Sequence, residues 1–346
     1  MSKPQLRVGI VVNSLRGGGA ENSMSELNRT LNANGIESYL IGVNSFDQNS
    51  TPPNPSEIEI GRLNKSGFYE TFKSWRQFKR IISEIKPEVL VVNCELPEFL
   101  VAISNIKAKV FLVEHSSKPW LGRKPLGTLV RAILKLKKVN YVSVSHQITI
   151  WHSYGGKYKV IENLLPDNQP IIGATNQYKN PRLLFLGRLV SQKCPELFLE
   201  IQESCRIPGL IIGDGVLNSK LRAQVLLTGQ DVTFAGYQEQ LWSFVTGNDL
   251  LIIPSSYEGK PLVILEALSR GIQIFAANIP ELRKEFSEYG VIFCETREDY
   301  VREIMQYLEG KPLVQGKHRK FSMQNHNEVA TITWIRALAP QPNFQE

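Results

Sequence analysis

The feature that most constrains this chain is an alternation, carried through twice, of short apolar runs with segments of helical period. In the first half, runs at Leu6–Asn13, Ile36–Val43, Glu88–Asn93, Ala108–Val113, Tyr141–Ser145 and Lys159–Ile161 stand between helix-spaced stretches. One of these is Ala20–Asn34, where Met24, Leu27 and Leu31 share a face and Gly35 is placed to end the helix. Short apolar strands joined by helices require a parallel sheet covered on both faces. The pattern stops at Leu164–Pro181, a stretch with three prolines, a glycine and several asparagines that reads as a linker. It restarts with Arg182–Leu186, Leu210–Ile212, Val232–Phe234, Leu250–Ile253, Gln273–Ala276 and Val291–Cys294. The expected fold class is α/β with two Rossmann-like domains. Their expected bounds are 1–165, a linker 166–181, 182–320, and a C-terminal helix and tail 321–346 whose helical segment Met323–Leu338 could pack on either domain.

Charge separates the halves. Residues 1–165 carry 22 Lys+Arg against 13 Asp+Glu, a balance of +9, while residues 181–346 carry 17 against 19, a balance of −2. A basic first half can meet nucleic acid, an anionic membrane surface or a phosphorylated substrate, and charge alone does not choose among them; of the three, nucleic acid is not an expected partner. Lys124, Arg131, Lys135 and Lys138 fall on one side of a helix expected over Pro125–Val139, with Leu126, Leu129, Val130, Ile133 and Leu136 opposite. That pattern fits first a helix covering its own sheet with a solvated basic face, and second a helix lying on a membrane. Cys94, Cys194, Cys205 and Cys294 form no CxxC pair and have no histidine at ligand spacing, which argues against a zinc site or a disulfide framework. No segment approaches the roughly 20 apolar residues that span a bilayer. A cytoplasmic location is expected, with peripheral attachment to the inner face of the plasma membrane as an option.

The segment richest in chemistry is Pro254–Glu266, PSSYEGKPLVILE, which follows a strand and opens a helix with Pro261 near its first turn. Gly259 lets the backbone of residues 259–263, namely Gly259, Lys260, Pro261, Leu262 and Val263, approach an anion where the helix dipole is positive. Glu266 suits a vicinal diol, because an ionised carboxylate accepts two hydroxyl donors. Glu258 could do the same for sugar hydroxyls. Gly187, Arg188 and Lys193 follow the first strand of the second half, where open α/β sheets place ligands, and two cations there could neutralise a diphosphate. Asp214, within Gly213–Gly215, and Tyr237, after Gly236, also end strands, with Tyr237 offering a surface for a base. Gly18 and Gly19 follow the very first strand and could meet a phosphate or a sugar, although Glu21 and Asn22 stand where a GxGxxG fingerprint needs its last glycine. His115 ends another strand of the first half. Turn chemistry is the alternative reading for each glycine pair.

Taken in order, GGGAE, GRLVSQK, IIGDG, FAGY and PSSYEGKPLVILEA, with Glu258 and Glu266 eight apart, resemble the retaining family 4 glycosyltransferases of the GT-B fold over nearly the whole chain. The resemblance implies two Rossmann-like domains facing each other across a cleft, the C-terminal helix crossing back to the first. It implies a nucleotide-sugar donor with Arg188 and Lys193 on the diphosphate, Glu266 on the ribose, and Glu258 with Gly259–Leu262 on the transferred sugar. His115 would sit by that sugar, with Gly18 and Gly19 lining the phosphate and acceptor side. Retention by front-face attack, the leaving phosphate taking the acceptor's proton, needs no cofactor and no obligatory metal. The expected reaction moves a hexose or N-acetylhexosamine, most simply from a UDP-sugar, to a lipid-linked or polysaccharide acceptor in cell-surface glycan synthesis such as lipopolysaccharide or capsule. The alternatives are a nucleotide-sugar epimerase or hydrolase, or a non-catalytic nucleotide-binding protein. Three positions depart from the family's commonest pattern: Lys260 replaces an aromatic, Cys194 a glycine and Asn22 a basic residue.

Overall fold

The computed structural model describes residues 6–15, 17–45, 54–62, 68–116, 118–120, 122–148, 157–166, 180–310 and 319–339. The chain divides into two compact units, one of Met1–Pro166 with Gln324–Glu346 and one of Asp167–Met323. The linker expected at 166–181 lies largely outside the described residues.

The first unit runs β1 (Arg7–Ser14), α1 (Gly19–Ala33), β2 (Glu37–Asn44), β3 (Glu57–Arg62), α2 (Phe68–Ile85), β4 (Val89–Asn93), α3 (Glu95–Ala102), β5 (Lys109–Glu114), α4 (Lys124–Leu136), β6 (Asn140–Ser143) and β7 (Tyr158–Val160). The seven strands are ordered β3-β2-β1-β4-β5-β6-β7 and every pairing is parallel. Val8, Ile10 and Val12 of β1 point to one face, where Met24, Leu27 and Leu31 of α1 and Ala330, Trp334, Ala337 and Leu338 of the C-terminal helix Met323–Leu338 cover them. Val11, Ile41 and Val43 point to the other face, under Phe78 of α2, Leu100 of α3, and Val130 and Leu134 of α4. This two-residue alternation of faces is the strand period, and both faces are dry because helices cover both. Gly35, at φ +74°, ends α1 as its position in the sequence suggests.

Two expectations need correction. The strand β3 is absent from the sequence reading, because Glu57-Ile58-Glu59-Ile60 is half acidic and follows a proline-rich turn. As an edge strand it buries only Ile60 fully. The faces of α4 also differ from those expected. Arg131 is buried, Leu126, Leu129 and Leu136 are exposed, and Lys138 lies beyond the helix with φ +55°. The core-facing stripe is Gly127, Val130, Arg131 and Leu134. Gly127 is required there, since a Cβ would stand 2.3 Å from the Trp120 ring. Arg131 can be buried because two carboxylates meet it: Glu98 accepts from its Nε and Nη2 at 3.1 and 2.8 Å, and Glu114 from its Nη2 at 2.6 Å. Lys137 serves the same layer by donating to the carbonyls of Val101, Ala102 and Ser104 that end α3.

The second unit runs β8 (Leu183–Leu186), a 3-10 turn Ser191–Lys193, α5 (Pro195–Cys205), β9 (Gly209–Ile212), α6 (Asn218–Thr228), β10 (Val232–Gly236), a 3-10 turn Leu241–Phe244, β11 (Leu250–Ile253), α7 (Leu262–Ser269), β12 (Gln273–Ala277), α8 (Pro280–Phe286), β13 (Ile292–Cys294) and α9 (Arg297–Leu308). Its sheet is ordered β10-β9-β8-β11-β12-β13, again all parallel. Chain order reverses between β8 and β11, so the loops after these two strands diverge around a switch point. In the first unit the corresponding point lies between β1 and β4. No helix among the described residues is long and apolar enough to cross a membrane.

Candidate functional site

Three loops of the second unit leave the carboxyl ends of β8, β9 and β10 and are stitched together by backbone hydrogen bonds. Gly187 N–H donates to Ile212, Leu189 N–H to Asp214, and Gly213 N–H to Gly236. The approach is close enough to demand glycine: a Cβ on Gly213 would lie 1.9 Å from the Gly187 carbonyl oxygen, and Gly213 itself has φ +142°. Asp214 caps this turn by accepting from Gly215 N–H and Asn218 Nδ2, and the Asn218 bond, followed by that of Gly215, holds its carboxyl below the ordinary value.

The loop after β8 is clasped in turn to the loop after β11. Gln192 donates through Nε2 to the Tyr257 carbonyl and accepts from Ser256 N–H, both at 3.0 Å. This clasp brings Lys193 Nζ within 2.5 Å of Glu258 Oε1. Glu258 is buried, while Lys193 retains partial exposure. Arg188 is exposed and has no ion pair among the described residues. Cys194 follows in the left-handed region at φ +48°, which gives a physical reason for glycine at this position elsewhere in the resembled family.

Past Glu258, Gly259 leads to Pro261, which is the N-cap of α7 and not its first residue, so the helix opens at Leu262 with Val263 beside it. The start of this helix therefore lies on the loop that leaves β11, one of the two strands at the switch point. Lys260 is buried and bound to Glu285 of α8 at 3.2 Å, so its charge ties the turn to the neighbouring helix. Glu266, on α7, is buried as well. Its Oε2 accepts from Trp242 Nε1 at 2.8 Å, and burial raises its carboxyl while the Trp242 bond and Arg270 pull it back. Tyr237 is half-exposed after β10.

One end of the second sheet thus gathers Gly187, Arg188, Lys193, Asp214, Tyr237, Glu258, Gly259, Lys260, Pro261, Leu262, Val263 and Glu266. Gly18, Gly19 and His115 belong to the first unit, at the carboxyl ends of β1 and β5. Gly18 N–H donates to Glu21 Oε2 at 3.1 Å, which puts a carboxylate at the start of α1. His115 is held neutral, its imidazole lowered to about 4 by burial, and its buried Nε2 has no hydrogen-bond partner among the described residues. Beside it, burial raises the Glu114 carboxyl to about 7 against the opposing pull of Arg131.

Sequence reasoning missed the groups that hold these side chains in place: Gln192, Trp242, Arg270 and Glu285 in the second unit, Glu98 and Glu114 in the first. Only Arg270 left a local signal, four residues beyond Glu266 on the same helical face.

Residues 169–325 match the family described as glycosyl transferases group 1. Over 281 residues the chain is 22% identical to the GalNAc-alpha-(1->4)-GalNAc-alpha-(1->3)-diNAcBac-PP-undecaprenol alpha-1,4-N-acetyl-D-galactosaminyltransferase of Campylobacter jejuni, covering 76% of this chain and 77% of that one. A stretch of 104 residues is 33% identical to the UDP-Gal:alpha-D-GlcNAc-diphosphoundecaprenol alpha-1,3-galactosyltransferase of Escherichia coli, 27% of each chain. The structure of HepE from Anabaena in complex with UDP and glucose superposes with a TM-score of 0.76 at 14% identity, over 96% of this chain and 100% of that one. The family match falls on the second unit, which carries the clasped loops and the two acids, so that unit is a group 1, or family 4, glycosyltransferase domain, and the agreement with solved structures over 96% of the chain gives the whole chain the GT-B fold.

Proposed function

We propose that the protein transfers a hexose or N-acetylhexosamine, with retention, from a UDP-sugar to a lipid-linked or polysaccharide acceptor in cell-surface glycan synthesis. The observation that carries this reading is the Lys193–Glu258 pair at the switch point, with Arg188 exposed beside it and Glu266 on the adjoining helix. An ammonium has three donors, so one spent on Glu258 leaves two for a diphosphate oxygen. Arg188 adds a planar fork of the kind that takes phosphate in two parallel bonds. As the bond from sugar C1 to the phosphate oxygen breaks, charge collects on that oxygen, and the two cations and the α7 N-terminus stabilise it. The acceptor hydroxyl bonds C1 from the same face and its proton passes to the departing phosphate. Glu258 holds the transferred sugar, Glu266 the ribose, and the sequence from 182 to 320 forms the donor domain.

The first unit is the acceptor side in this proposal. Neutral His115 suits a sugar hydroxyl, and the Glu21 carboxylate on the glycine turn suits hydroxyls better than phosphate. A lipid-linked acceptor accords with the undecaprenol-bound substrates in the names of the two relatives. An anionic membrane surface accords with the outer faces of α2 and α4, which cover one face of the sheet and expose Tyr69, Phe72, Leu129 and Leu136 among cations. Arg76 and Lys79 lie over the Phe72 and Trp75 rings, an amphipathic arrangement suited to lipid headgroups.

The test is turnover of a panel of nucleotide sugars on undecaprenyl-diphosphate-linked mono- and oligosaccharides, with product anomers read by NMR. Product of retained configuration from a UDP-sugar is expected. Consumption of donor without acceptor would support an epimerase or hydrolase instead. Co-sedimentation with anionic and neutral vesicles checks the membrane part, and equal failure to bind both would remove it.

A further inference from the structure

Trp242 sits in the 3-10 turn Leu241–Phe244, remote in sequence from both acids, and it is 1% exposed. An indole N–H can only donate, and this one donates to Glu266 Oε2 at 2.8 Å. One face of the same indole is covered by Arg270, whose guanidinium carbon lies 4.5 Å from the ring centroid. Arg270 is itself 4% exposed, its Nη1 donates to the Glu266 carbonyl, and its Nε and Nη2 have no hydrogen-bond partner among the described residues. The indole is therefore held between a carboxylate at its edge and a cation on its face.

We propose that Trp242, backed by Arg270, is the positioning residue that orients Glu266, and that it thereby sets how strongly the enzyme distinguishes a ribonucleotide donor from its deoxy analogues. The terminal torsion of a glutamate is broad and roughly two-fold, so a carboxylate anchored at neither oxygen swings freely. The Trp242 bond fixes Oε2 and with it the plane of the group, and no protein donor among the described residues engages Oε1. The anchored carboxylate presents that oxygen to a ribose hydroxyl in one orientation. Burial raises the Glu266 carboxyl, and the indole bond counters this by favouring the charged acceptor form. The inference rests on the ribose role of Glu266 proposed above.

The experiment measures affinity for UDP, 2′-deoxy-UDP and 3′-deoxy-UDP by calorimetry in the wild type, Glu266→Gln, Trp242→Phe and Arg270→Met. It adds kcat and KM with the best donor. The wild type should prefer UDP by about 10- to 100-fold over at least one deoxy analogue, the range of a charged hydrogen bond. Glu266→Gln should bring that ratio near one. Trp242→Phe keeps the ring under Arg270 and deletes only the N–H, so it should lower the ratio by about tenfold and raise donor KM while kcat at saturation stays. Arg270→Met, which removes the backing from the ring face, should lower the ratio less, and it reads the same property should Trp242→Phe fail to fold. An unchanged ratio in Glu266→Gln would end the ribose role itself. A collapsed ratio in Glu266→Gln beside wild-type ratios in Trp242→Phe and Arg270→Met would leave the ribose role standing and overturn the positioning one.

Discussion

Both sheets end in charged loops, but the side chains differ in where their hydrogen bonds go. In the first unit Glu98, Arg131 and Glu114 are at most 9% exposed and bond one another, with Glu98 also accepting from Trp120 Nε1 at 2.9 Å. In the second unit Lys193 bonds Glu258 yet remains 19% exposed, and Arg188 is exposed without a partner among the described residues. A buried charge whose bonds are all internal fixes the backbone around it and is costly to break. A charge with one internal bond and donors to spare is held in position for something that arrives. The comparison assigns the first cluster to holding the loops after β4 and β5, and the second to a ligand.

The largest effect should come from Arg131→Met. It strands two carboxylates in a dry layer, and a loss of about 3–5 kcal/mol in urea unfolding is expected. Lost turnover at unchanged stability would break the comparison, because the first cluster would then be acting on a substrate. Lys193→Ala and Arg188→Ala should each lower kcat by about 10²–10³-fold, the usual cost of removing one preorganised group that stabilises developing charge. The urea midpoint of Arg188→Ala should hardly move, and that of Lys193→Ala should fall less than that of Arg131→Met because it strands one carboxylate, Glu258, rather than two; a fall matching that of Arg131→Met would blur the distinction.

Next comes a pH effect. Folding raises the Glu114 carboxyl from an ordinary 4.5 to about 7, so the folded chain binds the extra proton between those values. The stability this lends is complete below 4.5 and is lost as pH rises through 7. His115 works in the other direction: lowered from 6.5 to about 4, it favours the folded chain above 6.5, and that contribution is lost as pH falls through 4. Glu114→Gln should therefore abolish the decline in thermal midpoint across pH 6 to 8 and leave the acid limb in place. Persistence of the decline in the variant would mean that another group carries it. The smallest effect expected is a gain of no more than about 1 kcal/mol in Cys194→Gly, since relief of the left-handed strain at φ +48° is partly cancelled by the entropy of glycine. A loss of stability there would mean that packing of the Cys194 side chain outweighs the strain.

Much of the scaffold is legible in the chain alone because strands buried on both faces must be short apolar runs, and such runs stand out wherever helices separate them. Of the thirteen strands among the described residues twelve could be placed this way, and the one missed, β3, is an edge strand whose alternate residues need not be apolar. Glycines that permit close approach, such as Gly213 and Gly215, and the acids eight apart in PSSYEGKPLVILE announce themselves for the same local reason. Partnership does not. Nothing near Arg131 in sequence says that it turns inward, because Glu98 lies 33 residues away and Glu114 17. Helical spacing alone therefore put Arg131 on the solvated side of α4. Lys193 and Glu258 stand 65 residues apart, and Trp242 and Glu266 stand 24 apart. Local pattern determines which residues form strands, helices and tight turns, since those depend on neighbours along the chain. Which charge is neutralised, which carboxylate is anchored and which cation is left exposed depends on distances set only when the loops of separate strands meet at one end of a sheet.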